Sequence, residues 1–241
     1  MFDSHLEIDG RRIGPGEPTY VIAELSANHQ QDLDRAIELI QRAHQAGADA
    51  IKLQTYTADS LTLDSDLPHF QIQGGTVWDG QRLYDLYQAA ATPWSWHAKL
   101  KTVANDLGMA LFSSPFDRAA VDFLDDLGVP AFKIASFEIV DIPLLQQVGA
   151  RGKPVIVSTG MATAEEIELA VRTLAEAGCR QVALLKCTSA YPAPLESMNL
   201  RTLPDLAFRF GLPIGLSDHT LSPTAAMLSV ATGAALVEKH I

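Results

Sequence analysis

Thiols are scarce: Cys179 and Cys187 are the only two in 241 residues. A disulfide framework is not indicated, and a reducing cytoplasm is the expected compartment. A positive balance is missing too. Eighteen Lys and Arg against 29 Asp and Glu give a net charge of -11, which argues against nucleic acid or a membrane surface as partner. A small anionic substrate stays open, because a few lysines gathered in one pocket set the local field. No apolar run reaches the ~20 residues that cross a bilayer. The start, MFDSHLEIDG, has neither the basic region nor the apolar core of a secretory leader, so none is expected. Apolar content of 47% with 20% charged residues is ordinary for a soluble domain with an ample core.

What is present is a rhythm. Residues 6–13 alternate about Asp9-Gly10, a dipeptide suited to a tight hairpin turn. Pro15, Gly16 and Pro18 then break the chain. Buried strands are expected at 20–25, 50–54, 109–113, 131–135, 155–159, 182–187, 213–216 and 235–237, with helices between them. The first helix, 32–45, sets Leu33, Ile37, Ile40 and Ala43 on one face. Others are expected at 94–107, 117–127, 143–150, 164–177, 203–210 and 222–232, several stopped by a glycine. Eight strands with a helix between each pair predict a parallel sheet closed into a (β/α)8 TIM barrel. Residues 1–18 would form an N-terminal β-hairpin and 19–241 the barrel. It ends at the eighth strand without an eighth helix, so a longer parent protein is expected. Residues 55–92 stand out as a long insertion carrying Trp78, Tyr84 and Tyr87, and connections this long are more often functional than idle.

Such barrels bind at the carboxyl ends of their strands. Read in order, those ends offer Glu24, Lys52 with Gln54, Ser113-Ser114, Lys133 with Ser136, Ser158-Thr159, Lys186 with Thr188-Ser189, Ser217-Asp218-His219 and Glu238-Lys239-His240. Strand ends meet water and are often polar, so part of this is ordinary. Lys52 and Lys133, however, sit inside apolar runs, where a lysine needs a partner. Glu24 and an exogenous anion are the partners on offer. Lysines with serine hydroxyls suit phosphate and carboxylate. His219 and His240 close two consecutive strands on one side of the sheet, which makes half of a divalent metal site or two unrelated polar residues. The residues alone point to an anion-binding barrel, leave the metal open, and point to no particular reaction.

Eight blocks carry a resemblance. Ile22-Ala23-Glu24-Leu25-Ser26-Ala27-Asn28-His29, Lys52-Leu53-Gln54-Thr55, Phe112-Ser113-Ser114-Pro115-Phe116-Asp117, Phe132-Lys133-Ile134-Ala135-Ser136, Ser158-Thr159-Gly160-Met161, Cys187-Thr188-Ser189-Ala190-Tyr191-Pro192, Gly215-Leu216-Ser217-Asp218-His219-Thr220 and Glu238-Lys239-His240 resemble, in order, the sialic acid synthase family. The Leu-Ser-Ala form of the first block, the Gly74-Gly75-Thr76-Val77-Trp78-Asp79-Gly80 stretch and Thr92-Pro93-Trp94-Ser95-Trp96 resemble its pseudaminic acid synthase branch. The resemblance implies condensation of phosphoenolpyruvate with an acetamido-sugar aldehyde to a nonulosonic acid and phosphate. It implies His219 and His240 as ligands of a divalent metal, manganese first, with magnesium or cobalt as alternatives. Lys52, Ser113, Lys133, Ser136, Ser158 and Ser217 would hold phosphoenolpyruvate, with Gln54 and Ser189 also binding substrate. Glu24 would serve as acid/base or sugar-orienting carboxylate, and Trp78 would touch the sugar. Ser189 stands where the family often carries Asn. Family members continue into an antifreeze-like domain that covers the partner subunit's site in a homodimer, so activity is expected of the longer protein. Rival readings are a sialate or legionaminate synthase, a Schiff-base aldolase using Lys133 or Lys186, and a ligand-binding barrel without chemistry.

Overall fold

The computed structural model describes residues 2–73 and 78–241. The chain begins with an antiparallel hairpin, β1 (Leu6–Ile8) and β2 (Arg11–Ile13). Eight parallel strands follow: β3 (Tyr20–Glu24), β4 (Ala50–Thr55), β5 (Ala110–Pro115), β6 (Phe132–Ile134), β7 (Val155–Ser158), β8 (Val182–Cys187), β9 (Ile214–Asp218) and β10 (Leu236–His240). They close in the order β10-β3-β4-β5-β6-β7-β8-β9. The expected (β/α)8 barrel and hairpin are both present. Leu6, Ile8 and Ile13 of the hairpin are buried in one cluster with Tyr20, Ile22, Ala50 and Ala110, near the starts of β3, β4 and β5. The hairpin therefore plugs the amino end and leaves the carboxyl end for a site.

Helices alternate with the strands as the apolar periodicity demands. They are α1 (Leu33–Gln45), α2 (Ala58–Leu61) and α3 (Leu83–Ala90) in the insertion, α4 (His97–Asp106), α5 (Arg118–Asp126), α6 (Ile142–Gly149), α7 (Ala164–Glu176), α8 (Thr202–Phe210) and α9 (Thr224–Ala231). Local chemistry fixes their starts. The Asp32 carboxylate accepts from the Asp34 and Arg35 amides, and Thr163 with Glu166 forms a capping box on α7. The last two strands run further than their apolar runs predicted, to Asp218 and His240. Their polar ends stay in the sheet because they find partners there. Ser217 Oγ donates to Glu238 Oε1 at 2.9 Å, and Lys239 Nζ reaches Asp218 Oδ2 at 2.8 Å.

Strand alternation sorts each end into two faces. Lys52 and Gln54 of β4 look into the barrel, while Ile51 and Leu53 pack with residues of α1 and α4. Thr55 shares that outer face. Its hydroxyl lies 2.6 Å from Ser113 Oγ and 2.8 Å from His97 Nε2, and His97 Nδ1 lies 3.3 Å from the Pro93 carbonyl. The consistent assignment has Nδ1–H donating to Pro93 and the Thr55 hydroxyl donating to Nε2, a neutral imidazole. Burial agrees, pushing His97 down to about 4. Between pH 6.5 and 4 the unfolded chain takes a proton here that the folded chain refuses. Stability should then fall with falling pH by about 3 kcal/mol from this group. Urea melts over that range should give a shallower pH slope for His97→Gln than for wild type, by about one proton; equal slopes would remove His97 from the account.

Candidate active site

A cavity of about 460 Å³ opens at the carboxyl end of the barrel. Its floor is a buried charge cluster. Lys52 Nζ pairs with Glu24 and lies 3.8 Å from Glu238 Oε2, which is also 3.8 Å from Lys133 Nζ. Lys133 Nζ donates to Ser158 Oγ at 2.7 Å and to the Ile134 carbonyl at 3.2 Å. All four charged side chains are nearly inaccessible. Their proton affinities diverge in consequence. Burial raises Glu24 and Lys52 does not fully offset it. Burial would also raise Glu238, but Lys133, Lys52 and the Ser217 hydroxyl outweigh it and hold the carboxyl below its usual range. Burial would lower Lys52, yet Glu238 and Glu24 reverse the sign. In Lys133 burial wins, and its pKa falls. Within the cluster the environment thus favours the charged forms of Lys52 and Glu238 and disfavours those of Glu24 and Lys133. An arriving anion would favour the charged form of Lys133.

The histidine rings converge at the rim, centroids 5.1 Å apart. His219 Nδ1 lies 2.9 Å from the Thr188 carbonyl. A proton on Nδ1 makes that hydrogen bond and leaves the Nε2 lone pair available. Burial, Lys52 and His219 push His240 down to about 4, so it is neutral at pH 7. Burial would lower His219, but Cys187 and the Thr188 carbonyl outweigh it and push the ring up, so a cation would have to displace any proton on Nε2. With Nδ1 alone protonated, the converging rings fit two ligand positions of a divalent cation. Among the described residues no group of three or more His, Cys, Asp or Glu gathers as a metal cluster, so further ligands would be water or substrate oxygens. Tyr191 lies over the pair, 4.2 Å from the His219 ring and 5.8 Å from His240. Cys187 Sγ is 3.9 Å from His219 Nδ1. Burial would raise this thiol, but hydrogen bonds from His219 and Ser136 bring it down to about 7.

One side of the cavity is a wall of hydroxyls, Ser136, Ser158, Ser189 and Ser217. The Gly160 amide donates to Ser136 Oγ at 3.2 Å. A Cβ on Gly160 would stand 2.5 Å from Ser189 Oγ and 2.8 Å from Ser136 Oγ, so only glycine lets these hydroxyls come so close. Ser114 Oγ is buried and without a hydrogen-bond partner among the described residues. It faces the cavity, ready for a ligand oxygen.

The structure brings Lys52, Gln54, Lys133, Ser136, Ser158, Ser189, Ser217, His219 and His240 to one cavity. Three expected site residues lie elsewhere. Ser113 sits on the outer face of β5, bonded to Thr55; the inward residue is its neighbour Ser114, because adjacent side chains on a strand face opposite ways. Trp78 is 48% exposed and not part of the cavity wall. Tyr56 and Tyr87 stand there in its place, and the flanking Gly74 and Gly75 lie outside the described residues. Glu24 lies beneath the cavity wall, against Lys52, and is not exposed to the space. Lys186 is likewise absent from the wall; its ammonium donates to Thr188 Oγ1. Sequence reasoning assigned no role to Glu238, Ser114, Glu138 or Tyr191, all of which line the space.

A closed parallel barrel whose carboxyl rim gathers lysines, carboxylates, serines and a histidine pair defines a (β/α)8 barrel of the enzyme type. Comparison with known proteins makes this specific. The NeuB family profile matches residues 39–241. The pseudaminic acid synthase of Helicobacter pylori is 45% identical over 224 residues, covering 93% of this chain and 66% of that protein. That of Campylobacter jejuni (strain 81-176) is 46% identical over 221 residues, 92% of this chain and 64% of that protein. The crystal structure of N-acetylneuraminic acid synthetase from Leptospira borgpetersenii superposes with a TM-score of 0.87 at 31% identity, covering 98% of this chain and 77% of that one. The chain belongs to the NeuB family of sialic acid synthases. It spans just under two thirds of the length of those curated relatives.

Proposed function

We propose that this barrel is the catalytic part of a pseudaminic acid synthase. It would condense phosphoenolpyruvate with a 2,4-diacetamido-2,4,6-trideoxyhexose of the altrose type. The observation that carries the reading is the buried Lys52–Glu238–Lys133 cluster under a serine wall and beside a histidine pair, in a chain 45% identical to a pseudaminic acid synthase. The lysines and Ser114, Ser136, Ser158 and Ser217 bind the phosphate and carboxylate of phosphoenolpyruvate. When bound at His219 and His240, a divalent metal, manganese in this reading with magnesium or cobalt as substitutes, supplies Lewis-acid polarisation of the aldehyde oxygen.

The C2–C3 π pair of the enol attacks the aldehyde carbon, and positive charge develops at C2 above Glu238. Water adds its oxygen to C2 and gives a proton to Glu238, which is held ionised for that purpose. The proton taken by Glu238 is returned to the new alkoxide, and the tetrahedral adduct collapses: the C2 carbonyl forms as the C2–O bond to phosphate breaks, and the C2 hydroxyl proton leaves with the phosphate. Glu24 positions Lys52 and does not touch substrate. The reaction belongs in the cytoplasm and needs neither nucleic acid nor membrane as partner, in keeping with the charge of -11; among the described residues no helix is long and apolar enough to cross a bilayer. Phe137, Met161, Tyr191 and Leu221 are 63%, 67%, 68% and 88% exposed in the loops after β6, β7, β8 and β9. These exposed apolar groups favour a homodimer of the full-length protein in which the mouth is covered.

The test is phosphate release by the full-length protein with phosphoenolpyruvate and a panel of acetamido-sugars. Turnover is expected to be fastest with the diacetamido-trideoxy-altrose. Faster turnover of N-acetylmannosamine, or of the legionaminate precursor, would move the protein to another branch. Binding of phosphoenolpyruvate with no release on any sugar would leave a binding barrel. The lowered pKa of Lys133 favours one second reading, a Schiff-base aldolase. Borohydride should trap an adduct on Lys133 if that holds and none if condensation does.

A further inference from the structure

The mouth of the cavity has two chemically different sides. Deep in the cavity every side is polar, with Lys52, Gln54 and Ser114 coming from β4 and β5, but above those residues β4 and β5 run out into Tyr56 and Phe116. The insertion adds Leu61 from α2 and Tyr87 from α3. In the ring order, β4 and β5 stand four places from β8 and β9, so this aromatic side lies across the barrel from Ser189 and Ser217. The rings are organised around Tyr56, edge-on to Tyr87 at 6.2 Å and to Phe116 at 5.5 Å.

The wall is also held from behind. Trp94 Nε1 donates to the Tyr56 carbonyl at 3.2 Å. A capping box of Thr57 and Ser60 sets the start of α2, and the Tyr84 hydroxyl ties α3 to Asp59 at 3.1 Å. Gln31 Nε2 donates to the Ala89 and Ala91 carbonyls at 2.8 and 2.7 Å, and His29 Nε2 lies 3.1 Å from Thr92 Oγ1. Both ends of α3 are thereby fastened. A rigid aromatic surface has no part in holding an anion, so it is available to the other substrate.

We infer that Tyr56, Leu61, Tyr87 and Phe116 form the surface that selects the acceptor sugar, by receiving a methyl-terminated, 6-deoxy edge. The inference rests on the condensation reading above and adds the residues that set its specificity. A methyl gains contact with the ring faces and edges. A hydroxymethyl there gives up water for a surface with few hydrogen-bonding groups. The phenol oxygens are the only polar atoms the four side chains carry, and Tyr87→Phe removes one of them.

The experiment uses full-length protein and two acceptors identical except for methyl or hydroxymethyl at C6. Both kcat/KM and direct calorimetric binding in the presence of phosphoenolpyruvate are measured. Wild type should prefer the methyl sugar by roughly 10–200-fold, the range a single apolar contact supports. Phe116→Ser and Tyr87→Ser should each cut that preference to below about threefold while leaving the Kd of phosphoenolpyruvate unchanged, and Tyr87→Phe should keep it. An undiminished preference in both serine variants, or equal losses on the two sugars, would overturn the inference. If neither sugar turns over, the condensation reading has failed, and the binding arm still decides whether the wall distinguishes them.

Discussion

Replacing Lys133 with Met should weaken phosphoenolpyruvate binding by about 2–5 kcal/mol, roughly 30- to several-thousand-fold in Kd, while the sugar's affinity changes little. The size follows from burial. Lys133 Nζ is fixed by Ser158 and the Ile134 carbonyl in a site with almost no solvent, so its attraction for a bound anion is weakly screened. Lys52→Met should cost as much affinity and more stability. Lys52 lies between Glu24 and Glu238, and its loss leaves two buried carboxylates facing each other; breaking a buried pair from one side typically costs about 3–5 kcal/mol. Lys133 is penalised by its own burial, so its removal should be milder for the fold. Calorimetric titration checks affinity and urea melts check stability. An unchanged Kd for phosphoenolpyruvate in both variants would rule out these roles.

Much of the barrel was legible because it depends on period and punctuation: apolar strands, amphipathic helices and the glycines between them. The site was legible where a polar residue interrupted an apolar run, as Lys52 and Lys133 do. What the sequence hid was direction. Ser113 and Ser114 are adjacent and chemically alike, and only the register of β5 against β4 decides that Ser114 looks inward. Glu238 was hidden differently. It belongs to a closing strand whose apolar run ends at Val237, so it read as part of a solvated end. In fact β10 continues, and pairing across to β9 sets Glu238 level with Ser217. Tyr84 and Tyr87, three residues apart, would be expected to share one helical face. Here the pair divides: Tyr84 bonds to Asp59 and Tyr87 faces the cavity. No spacing rule could separate them, because the split depends on how α3 is pinned by Gln31 from the loop before α1.

Exhaustive chelation should abolish phosphate release by the full-length protein, and added manganese should restore it. The expectation rests on the histidine pair. His219 gives its Nδ1 proton to the Thr188 carbonyl, and His240 is kept neutral by burial beside Lys52 and His219. His240 therefore offers a lone pair at pH 7, and His219, pushed up against its burial by Cys187 and the Thr188 carbonyl, offers one once the cation displaces any proton from Nε2. No third His, Cys, Asp or Glu joins them as a metal cluster among the described residues, so each histidine supplies a large share of the protein's hold on the ion. His219→Gln or His240→Gln should then weaken manganese binding by more than the roughly 10–100-fold typical of losing an outer-shell partner. That loss can be read by calorimetry or electron paramagnetic resonance without any turnover. Phosphoenolpyruvate, held chiefly by Lys52 and Lys133, should still bind both variants. Full activity after chelation, or manganese affinity unchanged in both glutamine variants, would remove the metal from this site and leave the lysine and carboxylate chemistry to stand alone.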